Sequence, residues 1–275
     1  MKKFADLHIH TYFSDSTLSP QRVIETAKER GLSCVGIADH DTVKGIKPTL
    51  EAAKGMGIEV IPGIELSSQI DDKDVHMLGY LIDYDSEDLN RILVRIQETR
   101  IKRIKKIINK LKEQGINNIS AEEVYNLSRS DAVGRPHLAR ILIQKGWVSS
   151  IAEAFDRYLA DGKSAFVRKF KMSPYEAIGL IEKAGGVAVL AHPMVSQVDE
   201  LIPEFAKAGL RGLEVFYPNC SKTVMEYYRA IAEKYGLILT GGSDAHGDAK
   251  RNTFLGKTKI SYDYVERLKK MKNNV

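Results

Sequence analysis

The sequence lacks the features that mark disulfide-stapled, membrane-spanning and disordered proteins. Its 275 residues include only two cysteines, Cys34 and Cys220, which excludes a disulfide framework and makes a reducing cytoplasm the expected compartment. No stretch approaches the roughly 18 apolar residues of a membrane span, and the N-terminal region has no apolar run long enough for a signal peptide. We therefore expect a soluble protein with no membrane partner and no readable obligate protein partner.

The composition is that of a globular chain that can bury a sizeable core. Hydrophobic residues make up 43% of the sequence and charged residues 28%, which excludes intrinsic disorder and fibrous repeats. The net charge of +5 is compatible with an acidic partner but does not require one. The length fits one large domain, or one domain that carries an insertion.

Short apolar runs rich in β-branched residues alternate with helical patterns through most of the chain. This alternation predicts βα units around a parallel sheet or barrel. Serines before Pro20 and Pro174 are predicted N-caps, and Gly31, Gly57 and Gly236 are predicted to end helices in the left-handed conformation. The predicted strands are Phe4–His8, Cys34–Ala38, Glu59–Ile64, Val75–Leu81, Val187–Ala191, Gly212–Phe216 and Leu237–Thr240.

The middle third contains helical patterns without a convincing strand. We interpret residues 87–172 as an all-helical insertion between two parts of one α/β domain, residues 1–86 and 173–275. The longest predicted helix, Asp88–Gln114, has an isoleucine-rich stripe and many lysines on its other faces. A solvated surface is the simpler explanation for these lysines, and a track for a phosphate backbone is the alternative. Shorter helices are predicted at Ser120–Leu127, Pro136–Lys145 and Ile151–Ala160.

The histidines carry the main functional signal, because they stand beside Asp, Gly or Pro where strand-like runs end. His8 and His10 are two residues apart, so in a strand both imidazoles point to the same side and can reach one ion. In parallel α/β architectures the carboxyl ends of strands collect functional groups from distant parts of the sequence. A cluster of imidazoles and carboxylates at these ends predicts a site for divalent metals. The candidate ligands are His8, His10, Asp15, His40, Glu65, His76, His192, Asp244 and His246.

Several of these motifs together resemble those of the PHP (polymerase and histidinol phosphatase) family of phosphoesterases. The motifs are DLHIHTYFSDSTLSP, GIADHDT, PGIEL, HMLGY, LAHP and GSDAH. The chain is most similar to the group that contains 3′,5′-nucleoside bisphosphate phosphatases and 5′–3′ exoribonucleases of the RNase AM type. The resemblance implies a distorted (β/α)7 barrel that holds three divalent ions, with Mn²⁺ favoured and Zn²⁺ or Fe²⁺ possible alternatives.

The resemblance also assigns roles to individual residues. His8, His10, Glu65 and Asp244 would hold the first ion and form the catalytic set. Glu65 would bridge to a second ion held with His76 and His192, and Asp15, His40 and His246 would hold the third. In the helical insertion, Arg135 and His137 of the GRPH motif would bind substrate phosphate. Their simpler interpretation is an arginine at a helix start and an ordinary surface histidine.

The expected reaction is hydrolysis of a nucleotide phosphate ester by a metal-activated hydroxide, with no serine or cysteine nucleophile. The substrate is a 3′,5′-nucleoside bisphosphate, a 5′-phosphorylated RNA, or both. Asp39 and Asp41 are either residues that orient the ligands or ordinary turn residues. The simpler interpretation of the loop Gly247–Phe254, with Lys250 and Arg251, is a solvated surface loop, and closure over a phosphate is the alternative. Two other functions stay open: a small-molecule phosphatase like histidinol phosphatase, and a metal-stabilised RNA-binding module.

Overall fold

The computed structural model describes residues 2–128, 133–167, 172–250 and 253–273. The chain divides into two compact units. The first, called here the barrel unit, combines Met1–Arg91 with Lys171–Val275, and the second, the helical unit, is Ile92–Phe170. No helix among the described residues is both long and apolar enough to cross a bilayer.

The barrel unit is built on one eight-stranded sheet in the order β7-β6-β5-β4-β3-β2-β1-β8. β1 pairs with β2 and β2 with β3 in parallel, as do β5 with β6 and β6 with β7. The α/β barrel class predicted from the sequence is confirmed. The strands are β1 (Phe4–Ile9), β2 (Cys34–Ile37), β3 (Glu59–Ile70), β4 (Lys73–Tyr80), β5 (Val187–Leu190), β6 (Gly212–Phe216), β7 (Ile238–Gly241) and β8 (Ile260–Ser261).

The sheet differs from a regular (β/α)7 arrangement in two places. β3 extends six residues beyond the predicted end at Ile64 and forms an antiparallel hairpin with β4, and β4 also pairs antiparallel with β5. The second difference is β8, a two-residue strand that pairs antiparallel with β1 and was not predicted. Two residues are too few for a periodic sequence signal, and the expectation of a helix between strands hid the hairpin.

Backbone contacts draw the carboxyl ends of the strands together. Ile9 and Ala245 form a parallel bridge, in which the His10 amide donates to Ala245 at 3.0 Å and the Ala245 amide donates to His8 at 3.3 Å. A second parallel bridge joins His40 to Glu65. The residues predicted to carry the chemistry are therefore tied to one another through the main chain.

Helices cover the barrel, and most of the local signals for their ends are confirmed. The Ser19 hydroxyl accepts from the Arg22 amide at 3.1 Å, and Ser173 forms a capping box with Glu176. Gly31 and Gly236 have positive φ and directly follow the last turns of their helices, but Gly57 does not end a helix, because the helix before it ends at Ala53. The helices of the barrel unit are α1 (Pro20–Glu29), α2 (Ile46–Ala53), α7 (Pro174–Lys183), α8 (Pro193–Ser196), α9 (Ile202–Lys207), α10 (Lys222–Lys234) and α11 (Tyr262–Lys272), with 3₁₀ turns at Asp199–Leu201 and Gly247–Ala249.

The helical unit has its own core. The long predicted helix is observed as α3, which begins in the barrel unit, and its isoleucine stripe is buried against the shorter helices. A π-helical turn, Phe155–Leu159, replaces the second half of the predicted helix Ile151–Ala160. The helices are α3 (Glu87–Lys112), α4 (Ala121–Ser128), α5 (Arg135–Gln144) and α6 (Ile151–Ala154).

Candidate metal centre

The nine predicted ligands lie in the barrel unit, on or just after six different strands. His8 is in β1, Glu65 in β3 and His76 in β4. The other six stand in the segments that follow β1, β2, β5 and β7. The alternation of βα units explains the gathering, because parallel strands present their carboxyl ends at the same edge. These six are His10, Asp15, His40, His192, Asp244 and His246.

Glu65 is at the centre of this cluster. Its Oε1 lies 2.9 Å from His76 Nδ1 and 3.1 Å from His192 Nε2. Its Oε2 lies 3.2 Å from His8 Nε2, from His10 Nε2 and from His40 Nδ1. The carboxylate is buried, at 1% exposure. Two oxygens that face two sets of imidazoles are the arrangement of a carboxylate that can bridge two cations.

Three groups of side chains bring their ligand atoms within 4.8 Å of one another, as a metal site requires. The groups are His8, His10, Glu65 and Asp244; His40, Glu65 and His76; and His10, Asp15, His40 and His246. The first group agrees with the set expected for the first ion. The second contains His40 where the expected set has His192, although His192 reaches the same Glu65 oxygen as His76. The third contains His10 in addition to the expected set.

The imidazoles of the cluster have buried nitrogen atoms that the protein itself does not satisfy. The Nδ1 atoms of His10, His40 and His192 are buried and have no hydrogen-bond partner. The Nε2 atoms of His8 and His10 face each other at 3.1 Å. Buried polar atoms are normally paired, so buried imidazole nitrogens without a partner beside the carboxylates of the cluster fit a group of metal ligands. The mixture of imidazole and carboxylate without thiolate suits manganese, iron or zinc.

The electrostatics keep the carboxylates ionised. Burial opposes ionisation of Glu65, but the neighbouring imidazoles, led by His40, outweigh it and hold the pKa of that carboxyl well below its usual range. Asp15 and Asp244 behave in the same way: burial acts against the charge, and imidazoles lower the pKa of each carboxyl well below its usual range. Burial lowers the pKa of His40 to about 3, whereas at His10 the carboxylates of Asp244 and Glu65 outweigh burial and raise the pKa to about 9. Ionised carboxylates are the form that binds a cation, and a cation that binds an imidazole takes the place of its proton.

Strained backbone places several of these residues. His192 has φ of 28°, Asp244 of 49° and Asp41 of 51°, all in the left-handed region that residues with a Cβ rarely adopt. Such conformations persist when the surrounding structure enforces them, and they concentrate at functional sites. Asp41 is buried and its Oδ1 accepts from the Ser67 amide at 2.8 Å, which joins the turn after β2 to β3.

Two of the residues predicted to support the site have clear contacts. Asp39 is buried and accepts from the Thr11 amide at 2.7 Å, from the Thr11 hydroxyl at 2.7 Å and from the Ser14 hydroxyl at 2.6 Å. It thereby holds the turn between His10 and Asp15. Lys250 forms an ion pair with Asp244. Arg251, the other basic residue of the predicted phosphate loop, lies outside the described residues.

Gly242 allows β7 to approach β1 next to His8. A Cβ atom at this position would lie 2.3 Å from the His8 amide nitrogen and 2.4 Å from the His8 Cβ. We predict that Gly242→Ala lowers the free energy of unfolding by about 1–3 kcal/mol, as overpacking does, and displaces His8. Urea denaturation and the metal content of the purified variant would measure both effects.

The matched control for this prediction is Gly179→Ala. Gly179 lies in α7, and a Cβ atom there would meet nothing within 4 Å. We expect this substitution to stabilise the protein by about 0.5–1 kcal/mol, the usual difference between glycine and alanine in a helix. Equal stability of the two variants would contradict the role assigned to Gly242.

Two residues that contact the cluster were missed in the sequence. Glu214, in β6, is buried and lies 2.9 Å from His8 Nδ1. Tyr217 donates its hydroxyl to Asp244 at 2.8 Å. The available signal was an acidic residue between apolar neighbours in the predicted strand GLEVF, since a carboxylate is almost never buried without a partner.

Arg135 and His137 lie in the helical unit. The Arg135 guanidinium donates to Leu159 O at 2.9 Å and to Asp161 Oδ1 at 2.8 Å, and its centre lies 5.5 Å from the ring centroid of Phe155. His137 is buried, and its Nδ1 accepts from the Gly134 amide at 3.2 Å. These contacts give both side chains a structural role, and their predicted contact with substrate remains a prediction.

Comparison with known proteins decides the family. The sequence profile of the PHP domain matches residues 6–271. The chain belongs to the PHP domain family. It is 35% identical to a 5′–3′ exoribonuclease of Haemophilus influenzae over 90% of this chain and 91% of that protein. It is 31% identical to a 3′,5′-nucleoside bisphosphate phosphatase of Chromobacterium violaceum over 92% of this chain and 90% of that protein.

The PHP fold is also shared with a solved structure. A candidate metal-dependent phosphoesterase from Bifidobacterium adolescentis superposes with a TM-score of 0.86 and 31% identity, over 96% of this chain and 94% of that one. The predicted PHP family and the predicted enzyme class, a phosphoric ester hydrolase, are confirmed.

Proposed function

We propose that this PHP protein is a metal-dependent phosphoesterase that hydrolyses nucleotide phosphate esters. The observation that carries the proposal is the convergence of nine imidazoles and carboxylates, centred on Glu65, at one end of the barrel. Its relatives include an exoribonuclease and a nucleoside bisphosphate phosphatase, so the favoured substrates are 5′-phosphorylated RNA and 3′,5′-nucleoside bisphosphates. Two free cysteines, Cys34 and Cys220, fit the proposed cytoplasmic location.

The proposed metal assignment has three ions, and neighbouring ion sites have side chains in common. Glu65 would be shared by the first and second ions, because its two oxygens face different imidazoles. His10 belongs to both the first and the third group of possible ligands, and His40 belongs to both the second and the third. The sets are His8, His10, Glu65 and Asp244 for the first ion; Glu65, His76 and His192 for the second; and Asp15, His40 and His246 for the third.

The charge of the loaded site supports an anionic substrate. Three carboxylates, Glu65, Asp15 and Asp244, carry −3 against +6 from three divalent ions, so about +3 remains. When bound, such ions polarise a phosphoryl group and can lower the pKa of water to near 7. The buried imidazoles and carboxylates of the cluster would hold these ions. We propose Mn²⁺ as the physiological ion, and Arg135 and His137 as donors to the substrate phosphate.

A panel of substrates on metal-stripped protein tests this function. Each of Mn²⁺, Zn²⁺ and Fe²⁺ would be added back separately, with a nucleoside 3′,5′-bisphosphate, a 5′-phosphorylated RNA and histidinol phosphate as substrates. We expect turnover of the first two substrates, highest with Mn²⁺. Faster turnover of histidinol phosphate than of either nucleotide substrate would mean that the substrate is a small phosphate ester rather than a nucleotide. RNA binding without hydrolysis of any ester would contradict the enzymatic function itself.

The lysines of α3 offer a way to separate the two nucleotide substrates. Lys102, Lys105, Lys106 and Lys112 are exposed, and their spacing places them along one side of the helix. A phosphate backbone would release counterions from such a stripe, so its binding would weaken steeply with salt. A mononucleotide would be too short to contact the whole stripe.

We therefore predict a selective effect of replacing Lys102, Lys105 and Lys106 together by glutamine. The KM for 5′-phosphorylated RNA should rise and its dependence on salt should become shallower, whereas turnover of the bisphosphate should stay unchanged. An unchanged salt dependence on RNA would identify the stripe as a solvated surface. The matched control replaces three exposed lysines of the barrel unit by glutamine: Lys207, Lys222 and Lys234.

A further inference from the structure

Glu214 joins two parts of the candidate metal centre that are far apart in sequence. Its Oε1 lies 2.9 Å and its Oε2 3.2 Å from Nδ1 of His8. Its Oε2 also accepts a hydrogen bond from the backbone amide of His192 at 3.0 Å. All of these groups are buried, and the Glu214 side chain has no exposure to solvent.

The contact with His8 defines which nitrogen of the ring can bind a cation. A carboxylate acceptor at this distance favours a proton on Nδ1 of His8. In a neutral ring with that tautomer, which is the form that binds a cation, the lone pair is on Nε2, and Nε2 lies 3.2 Å from Glu65 Oε2 and 3.7 Å from Asp244 Oδ1. A histidine ligand is commonly oriented in this way, by a carboxylate on its other nitrogen.

The contact with His192 stabilises an unfavourable backbone conformation. His192 has φ of 28° at the turn after β5. Its amide donates to a charged acceptor, which is a stronger bond than one between neutral groups. The same carboxylate therefore holds a proposed ligand of the first ion by its ring and a proposed ligand of the second ion by its main chain.

We propose that Glu214 is a positioning residue for the metal centre, which fixes the tautomer of His8 and the backbone of His192 and so couples occupancy of the first two sites. The inference rests on the proposed function only in taking the cluster as a metal centre. Glu214 is in none of the three groups of possible metal ligands among the described residues, and it acts through the two histidines.

The test is Mn²⁺ binding to metal-stripped protein, measured by titration calorimetry for wild type and for Glu214→Gln. Glutamine keeps the shape of the side chain but removes the charge and replaces one acceptor oxygen by a donor group. We expect affinity for the tightest ions to fall about 10- to 100-fold, with the melting temperature of the stripped protein near that of wild type. Saturating Mn²⁺ should restore turnover in part, with the KM for substrate unchanged.

Two further variants keep the test decisive. Glu214→Asp retains the charge but shortens the side chain, so it cannot keep both contacts, and we expect a smaller loss of affinity in the same direction. Glu59 is a carboxylate at the start of β3 that contacts Tyr262 and Lys269. The Glu59→Gln variant should bind Mn²⁺ with the affinity of wild type. Wild-type Mn²⁺ affinity in both Glu214 variants would overturn the inference.

The binding measurement uses no substrate, which separates this inference from the proposed function. A wild-type protein that binds Mn²⁺ but hydrolyses no phosphate ester would contradict the function. In that case a loss of affinity in the Glu214 variants would still support the positioning role.

Discussion

Replacing Glu65 by glutamine should reduce the kcat/KM for phosphate ester hydrolysis by more than about 100-fold. This loss is larger than the loss of activity that is usual when a side chain that only orients a metal ligand is removed. The Glu65 carboxylate lies within 3.2 Å of a nitrogen atom in each of five imidazoles. Glutamine has nearly the same shape, but it carries no charge, and its amide nitrogen donates and cannot bind a cation, so only one of the two ligand oxygens remains. The variant should therefore fold and lose the shared ligand of the first two ions.

The measurement combines steady-state kinetics with the metal content of the purified variant. The control is again Glu59→Gln, which changes the same type of residue at the start of the same strand and should retain activity. Circular dichroism of both variants would establish that the barrel is formed. Full turnover by a folded Glu65→Gln protein would mean that this carboxylate is not a ligand.

A second large effect is expected for Asp244→Asn. Asp244 Oδ1 lies 3.2 Å from His10 Nε2, and its Oδ2 accepts from Tyr217. Asparagine tolerates the left-handed φ of 49° at this position, so the backbone can be kept while the charge is removed. We expect a loss of more than about 100-fold in kcat/KM and a loss of one bound ion per chain.

Tyr217→Phe is the graded comparison for this variant. It removes the hydroxyl that donates to Oδ2 and leaves the Asp244 carboxylate in place. The expected loss is smaller, at most about 100-fold, because only the orientation of the ligand changes. A larger loss for Tyr217→Phe than for Asp244→Asn would reverse the roles assigned to the two side chains.

Much of the fold follows from local patterns in the sequence. The runs around Cys34 and Val187 are apolar and bounded by turn residues, and both are buried strands. Ser19 and Ser173 start helices because a serine hydroxyl satisfies a free amide at the helix end. The β3–β4 hairpin was missed, because its two-residue turn, Asp71 and Asp72, lacks the glycine that usually marks such a turn.

The candidate site was predictable to the extent that its residues stand at strand ends. His8, His10 and Asp244 were expected in one cluster on that ground, and their assignment to a single ion came from the resemblance to the PHP family. The structure brings their ligand atoms within 4.8 Å of one another. Glu214 was not expected, because it lies inside a strand and reaches the cluster across the barrel interior rather than from a turn. Contacts of that kind depend on the closure of the barrel, which no single segment specifies.

The central claim is that divalent ions held by this cluster are required for catalysis. The direct measurement is elemental analysis of the active protein, repeated after chelation and after stepwise return of Mn²⁺, with turnover recorded on the same samples. We predict three ions per chain in the active protein, loss of turnover on stripping, and recovery in proportion to the ions returned. Full turnover by protein that contains no divalent metal would contradict the account.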